Sequence, residues 1–368
     1  MYSVDALKDS LGWGPRPLIS RRPTAALSTL ATGVLIVGLI ACSSDTKGGT
    51  DAQSGAPSTA GGSSATGGAN AGGTSPGAGS SSKGPVGTFT VALNPAVEGE
   101  AAYTSIFGKV YGGPYPTEII ETVIASDSSC KVYKYSLQAC YDPTCTGDQT
   151  CVAENVCATK PSPVSVGDVS VEGVGPSLLK LSATNFNYQY PLDLPYPGIT
   201  EGEPVTLTGS GGSFSAFTVS AKGVAPIATS AASYLVANDQ PLTLKWTPGA
   251  SSAGAEVTAT LNVSKHGGSA GYMQCTTTDS GTLTIAADVL KALVQLGVGG
   301  FPELLLKRST HGEATVAAGK IALEIEAVAK PALNIEGYCS CFNDSDCGSC
   351  TDKTKTSCDS LKRLCKTP

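Results

Sequence analysis

The sequence predicts a mainly β chain: an antiparallel β-sandwich preceded by an N-terminal β-module and stapled by small disulfide-rich segments. Three observations carry that expectation. Short runs alternate apolar and polar residues with period two between Gly- and Pro-rich turns. Only 15% of residues are charged, and Gly, Ser, Thr and Ala dominate, which suits turns and pleated surfaces better than helices. Twelve of the 13 cysteines follow residue 129, eleven of them in two tight clusters.

Residues 1–42 read as an export signal. The run Ala31–Ala41 is apolar except for Thr32 and two glycines. Its length falls short of the ~20 residues needed to span a bilayer core. Arg16, Arg21 and Arg22 flank it on the N-terminal side, and small residues close it. Ser20-Arg21-Arg22 carries a twin-arginine pair, although Pro23-Thr24 departs from that export motif. Asp5 and Asp9 lie in a stretch long for a signal, so translation is expected to start downstream of Met1. The exit, Leu39-Ile40-Ala41-Cys42, resembles the lipobox of bacterial lipoproteins. That resemblance implies that Cys42 becomes the lipidated first residue of the mature chain. It places Leu39 and Ala41, the −3 and −1 side chains on either side of Ile40, in the signal peptidase's recognition pockets. Ser43 and Ser44 follow, with Asp45 one place later, which in that family implies the outer membrane of a diderm bacterium.

Residues 43–85 are a linker. Of these 43 residues, 34 are Gly, Ser, Ala or Thr, and none is a large apolar side chain. Nothing in the tract repays ordering entropy, so it is expected to be a coil of roughly 35 Å root-mean-square span. Its expected role is to hold the folded part clear of the bilayer. Loss of residues 1–42 removes four basic and two acidic residues, leaving 20 against 28 and a balance of −8. With no basic stripe, nucleic acid is excluded as an expected partner.

Residues 86–162 form the expected N-terminal module. Thr88–Leu93, Ser105–Val110 and Lys131–Tyr135 alternate, and Ile119–Ala125 is rich in β-formers. Cys130, Cys140, Cys145, Cys151 and Cys157 follow. An exported chain meets an oxidising compartment, so disulfides are the default. The last four suggest a knuckle of two interleaved bridges, similar to short EGF-like inserts. Cys130 is then left over, and so is Cys275 far downstream. Those two are expected either to bond to each other, which requires Cα atoms within about 7 Å, or to be buried separately.

Residues 163–332 carry further short strands, among them Val169–Val171, Val205–Leu207, Phe217–Val219, Leu242–Trp246, Val257–Val263 and Ile321–Ile325. Trp246 is the expected core anchor. The one helix expected is Ile285–Leu296, with an apolar face at 285, 289, 293 and 296 and a stop at Gly297. The segments Phe214–Phe217, Leu244–Gly249, and Cys275 ahead of Asp279–Leu283 resemble Ig-like modules of myxobacterial secreted lipoproteins. The resemblance implies an Ig-like sandwich for this part of the chain.

The tail, residues 333–368, holds Cys339, Cys341, Cys347, Cys350, Cys358 and Cys365. An even set in an exported chain implies three disulfides, with fifteen possible pairings and a zinc knuckle as the competing arrangement. Asn343-Asp344-Ser345-Asp346 begins like a calcium loop but lacks the glycine in register and the closing Glu.

No catalytic site, metal or cofactor is expected. The two histidines, His266 and His311, each precede a glycine and read as turn residues. The Gly/Ser run 209–213 forms no nucleophile elbow. H-E-x-x-H, P-loop and dinucleotide fingerprints do not occur. The expected function is that of a membrane-anchored envelope lipoprotein with a binding, adhesive or structural role toward a protein or glycan ligand. The alternative is an envelope enzyme or carbohydrate-handling accessory protein. Tyr188, Tyr190 and Tyr196, in the stretch NYQYPLDLPYP, are the candidates for an aromatic binding face.

Overall fold

The computed structural model describes residues 84–368, apart from Glu98, Glu118, Pro176, 251–253 and 266–267. The signal, the lipobox with Cys42, the linker up to Lys83, and His266 therefore lie outside the described residues. What is described is mainly β. The strands are β1 (Gly87–Asn94), β2 (Tyr103–Val110), β3 (Ile119–Ser126), β4 (Cys130–Leu137), β5 (Gln149–Ala153), β6 (Val156–Thr159), β7 (Val169–Glu172), β8 (Leu179–Leu181) and β9 (Asn187–Gln189). They continue with β10 (Pro204–Gly209), β11 (Phe217–Lys222), β12 (Ser233–Val236), β13 (Leu242–Lys245), β14 (Glu256–Asn262), β15 (Gly271–Thr278) and β16 (Thr282–Ile285). After the helix α1 (Ala287–Gln295) come β17 (Glu303–Val316), β18 (Gly319–Ala329), β19 (Ala332–Ile335), β20 (Ser357–Asp359) and β21 (Leu364–Lys366).

One large sheet organises these strands, in the order β3-β4-β15-β14-β17-β18-β1-β2-β9, with β12 and β19 branching from β17. A four-stranded sheet, β11-β10-β7-β8, packs against the β17–β18 hairpin through β11. Period-two burial explains the layering. Phe89, Val91 and Leu93 of β1, Ile321, Leu323 and Ile325 of β18, and Val205, Leu207 and Val219 of the smaller sheet all turn into one core.

Three expectations change here. The residue 162 boundary does not separate two modules, because β1 and β2 lie on one side of the β17–β18 hairpin and β3 and β4 on the other. The large sheet is also not purely antiparallel: β1 runs parallel to β18, and β12 parallel to β19. The helix begins later than its pattern suggested, since Ile285 closes β16. Val289, Leu290 and Leu293 are its buried face, and Gly297, at φ +107°, stops it as expected.

Twelve cysteines form six bridges. Cys130 and Cys275 stand directly opposite each other on β4 and β15, fully buried, with Cα atoms 3.9 Å apart. The bond closes a loop of 145 residues, for which the chain-entropy estimate is about 5 kcal/mol. Cys140–Cys151 and Cys145–Cys157 interleave around the β5–β6 hairpin. The tail pairs Cys339–Cys350, Cys341–Cys358 and Cys347–Cys365, so its sulfurs bond to one another rather than offering thiolates to zinc. The calcium-like run instead caps a 3-10 helix, Asp344–Ser349. Asp346 accepts from the Phe342 and Asn343 backbones, and Asp344 accepts from Cys358 N.

Arg308 is buried at 1% exposure where the two halves of the large sheet meet. Its Nη1 donates to the carbonyls of Ala225 and Pro226 at 3.0 and 2.8 Å, and its Nη2 to Thr247 at 2.6 Å. Nη2 also reaches Asp279 Oδ1 at 3.2 Å, and Nε lies 2.8 Å from Oδ2, off the hydrogen-bond axis. Asp279 accepts as well from Trp246 Nε1 at 2.7 Å and Gly249 N at 2.8 Å. Burial alone would raise the Asp279 carboxyl. The hydrogen bonds from Arg308, Trp246 and Gly249 outweigh it and hold the carboxyl below its ordinary value.

Asp279→Asn leaves a buried cation without its anion and is expected to cost about 3–5 kcal/mol in urea unfolding at neutral pH. A carboxyl depressed in the folded state stabilises above its unfolded pKa and loses that contribution as pH falls through the folded value. The gap between the parent and Asp279→Asn is therefore expected to narrow below about pH 4. An unchanged gap at pH 2–3 contradicts the assignment.

Candidate functional site

The exposed chemistry gathers at the β3 end of the large sheet. Strand alternation turns Cys130 and Val132 of β4, and Met273 and Cys275 of β15, into the core. The same alternation turns Lys131, Tyr133 and Tyr135, and Tyr272 and Gln274, outward. The register places Tyr272 opposite Tyr133 and Gln274 opposite Lys131. The Tyr133 and Tyr272 rings stack with centroids 5.1 Å apart at 19°, and Tyr135 lies 5.6 Å from Tyr272. Tyr272 Oη donates to Glu121 of β3 at 3.1 Å. Gly271 makes the approach possible, since a Cβ there would sit 2.0 Å from the Tyr133 carbonyl.

This row is half-buried and partly shielded from water. Burial raises the Tyr272 phenol well above its ordinary pKa, and the Glu121 charge, the Glu121 hydrogen bond and the neighbouring tyrosines add to the effect. Tyr135 is raised for the first two reasons, burial and the charge of Glu121. Both phenols therefore remain neutral hydroxyls at every physiological pH. Beyond Tyr133 the outer face of the paired strands carries a cleft of about 250 Å³, walled by Asp127, Ser129, Lys131, Tyr133, Gln274 and Thr276. Asp127 is fixed there because its Oδ1 accepts from the Ser129 and Cys130 backbones at 2.8 and 2.7 Å.

A second cleft, of about 430 Å³, lies where β17 runs on past the end of β14 and β11 crosses it. Ser220, Lys222, Glu256, Ser309, Thr310 and His311 line it. His311 is thus a strand residue rather than a turn residue, opposite Glu324 on β18. No hydrogen bond orients its imidazole among the described residues, and a general base in a triad needs such a partner. Nearby, Lys307 pairs with Glu324 at 2.5 Å and Glu326 at 3.7 Å. Burial disfavours the Lys307 ammonium, but the two carboxylates outweigh it and raise its pKa, so it is no nucleophile at neutral pH.

The expected tyrosines do not form a face. Tyr188 is fully buried, its hydroxyl held by Val166 N and the Gly167 carbonyl and its ring 5.4 Å from Phe89. As the middle residue of β9 it turns inward. Tyr190 and Tyr196 are half-buried against the same core. The row that does form joins residues from distant parts of the chain. Only the alternation Lys131-Val132-Tyr133-Lys134-Tyr135 hinted at one strand of it.

Tyr272 is expected to stay protonated through the pH range near 10 where an ordinary tyrosine ionises. Glu121→Gln removes the charge while its amide oxygen can still accept the hydrogen bond, so the Tyr272 pKa should fall part of the way toward that value, with burial still holding it up. Tyrosine-ring NMR titration, assigned with Tyr272→Phe, measures it, and an unmoved titration in the Glu121 variant contradicts the contact.

No family model matches the chain, and no curated protein matches it. Among solved structures, chicken CNTN1 FN1-FN3 domains are similar over 61% of this chain and 68% of that one, at 6% identity and a TM-score of 0.17. That score is too low to carry an argument about function.

Proposed function

We propose that this chain is a lipid-anchored envelope lipoprotein with a non-catalytic binding role, and that the outer face of β3, β4 and β15 is its binding surface. The observation that carries the reading is the row Tyr133–Tyr272–Tyr135, set on an exposed sheet face beside an open cleft. Aromatic side chains with neutral polar tips supply large contact area at low entropic cost. Six disulfides support residence in an oxidising compartment, and the lipobox-like exit at Cys42 supports anchorage, with the outer membrane of a diderm bacterium as the expected location. Its partners are then the membrane, through the lipid, and a ligand at the tyrosine face. An enzymatic reading would centre on the His311 cleft, where no carboxylate among the described residues hydrogen-bonds the imidazole.

Two experiments test the two parts. Cys42→Ala should abolish incorporation of a fatty-acid analogue in growing cells, and label retained by the variant rejects the anchor. The full chain immobilised through its linker should retain envelope components that Tyr133→Ala/Tyr272→Ala does not. Equal retention by both, with unfolding midpoints unchanged, removes the tyrosine face as the binding surface.

A further inference from the structure

The cleft beside the tyrosine row has a composition that selects among ligands, and this step rests on the binding role assigned to that row. At about 250 Å³ it is smaller than the roughly 300–1,000 Å³ of sites for drug-sized ligands. It would hold one ring rather than a side-chain cluster. One acid, Asp127, and one base, Lys131, face it, so it carries no net sign and favours neither an anion nor a cation. Gln274 contributes an amide, and Ser129 and Thr276 contribute hydroxyls, which give both donors and acceptors. Tyr133 is the aromatic wall where the cleft meets the row, and Tyr272 backs it at 5.1 Å.

A neutral ring with hydroxyls around its rim and C–H groups on its faces matches that lining. We propose that the cleft binds a pyranose unit of a neutral glycan, with Tyr133 against the ring and Asp127, Lys131 and Gln274 at its hydroxyls. A peptide would need apolar side-chain pockets, and the lining offers only the one ring. Tyr133, the cleft's aromatic wall, stacks on Tyr272, and Tyr135 lies beside that ring, so further units of an oligosaccharide would lie over the row. Rigidity favours the fit: the Cys130–Cys275 bond locks the register of β4 on β15 beneath the cleft, and Asp127 is held by two backbone N–H groups.

The test uses the full chain on a broad array of immobilised neutral and charged glycans, followed by titration calorimetry with the hexasaccharide of the strongest class. The expected result is binding to neutral pyranose oligomers. Tyr133→Ala or Gln274→Ala should weaken it by roughly tenfold or more. Gln274 is not one of the stacked rings, so Gln274→Ala tests the cleft contacts while leaving all three tyrosines in place. Failure to bind any neutral glycan overturns the proposal. So does binding that Tyr133→Ala and Gln274→Ala both leave unchanged, or a preference for charged glycans or peptides. If glycans fail while the tyrosine-dependent retention of envelope components persists, the pyranose assignment falls and the binding role stands. If both fail, the binding role falls with it.

Discussion

A guanidinium taken out of water needs partners for its donors, and Arg308 meets them from three directions, two of backbone carbonyls and one of a carboxylate, with Nε alone off the hydrogen-bond axis. Ala225 and Pro226 follow β11, Thr247 follows β13, and Asp279 sits in the turn between β15 and β16. Replacing such a group by apolar residues often costs nothing, so its role is better described as specifying which loops meet than as adding stability. On β17, Arg308 is paired with Val257 of β14 on one side and Ala327 of β18 on the other. Fixing that residue fixes where the β14–β15–β4 wing and the β18–β1–β2 wing join one strand. The tyrosine row hangs from the first wing.

Much of this was legible in the sequence. The alternating runs became β1, β2 and β4, and the parity of the cysteines pointed to the Cys130–Cys275 pair as one of two outcomes. What hid was long-range. The length of β17 is hidden because His311-Gly312 looks like a turn, whereas Gly312 is there because β11 crosses so closely that a Cβ would meet the Ser220 carbonyl at 2.0 Å. β15 escaped for a related reason, with Gly271 at its start. Tyr188 sits in a proline-rich stretch that reads as surface connector, yet β9 pairs with β2 and turns its ring inward. No local pattern announces that Tyr272 will stand beside Tyr133, because only the pairing of two distant strands puts them together.

The same pairing explains how an exposed edge is kept in order. β3 closes the sheet and carries Ile120, Val123 and Ile124 at 41%, 46% and 45% exposure, an apolar edge of the kind that invites pairing with other chains. A register shift between Val123 and Ala125 interrupts its ladder, which is one device natural sheets use to blunt such an edge. One position further in, the disulfide holds β4 to β15, so the edge can fray only as far as β4.

The direction of β1 matters once the chain is pulled. β1 lies between β18, to which it is parallel over seven register pairs, and β2, to which it is antiparallel over eight. Val86 lies at the hairpin tip, beside Gly319 and Lys320. The six-cysteine tail is held at the other end of β17, where Gly300 N donates to the Lys362 carbonyl. Some 14 residues of strand, roughly 45 Å, lie between the two ends. Tension between the start of β1 and the six-cysteine tail therefore runs along the strands. It strains the β1 ladders on both sides at once, as shear, instead of peeling them bond by bond. Resistance to such a load is a matter of the barrier to unfolding rather than of equilibrium stability, and this topology sets it high at the point where the chain enters the fold.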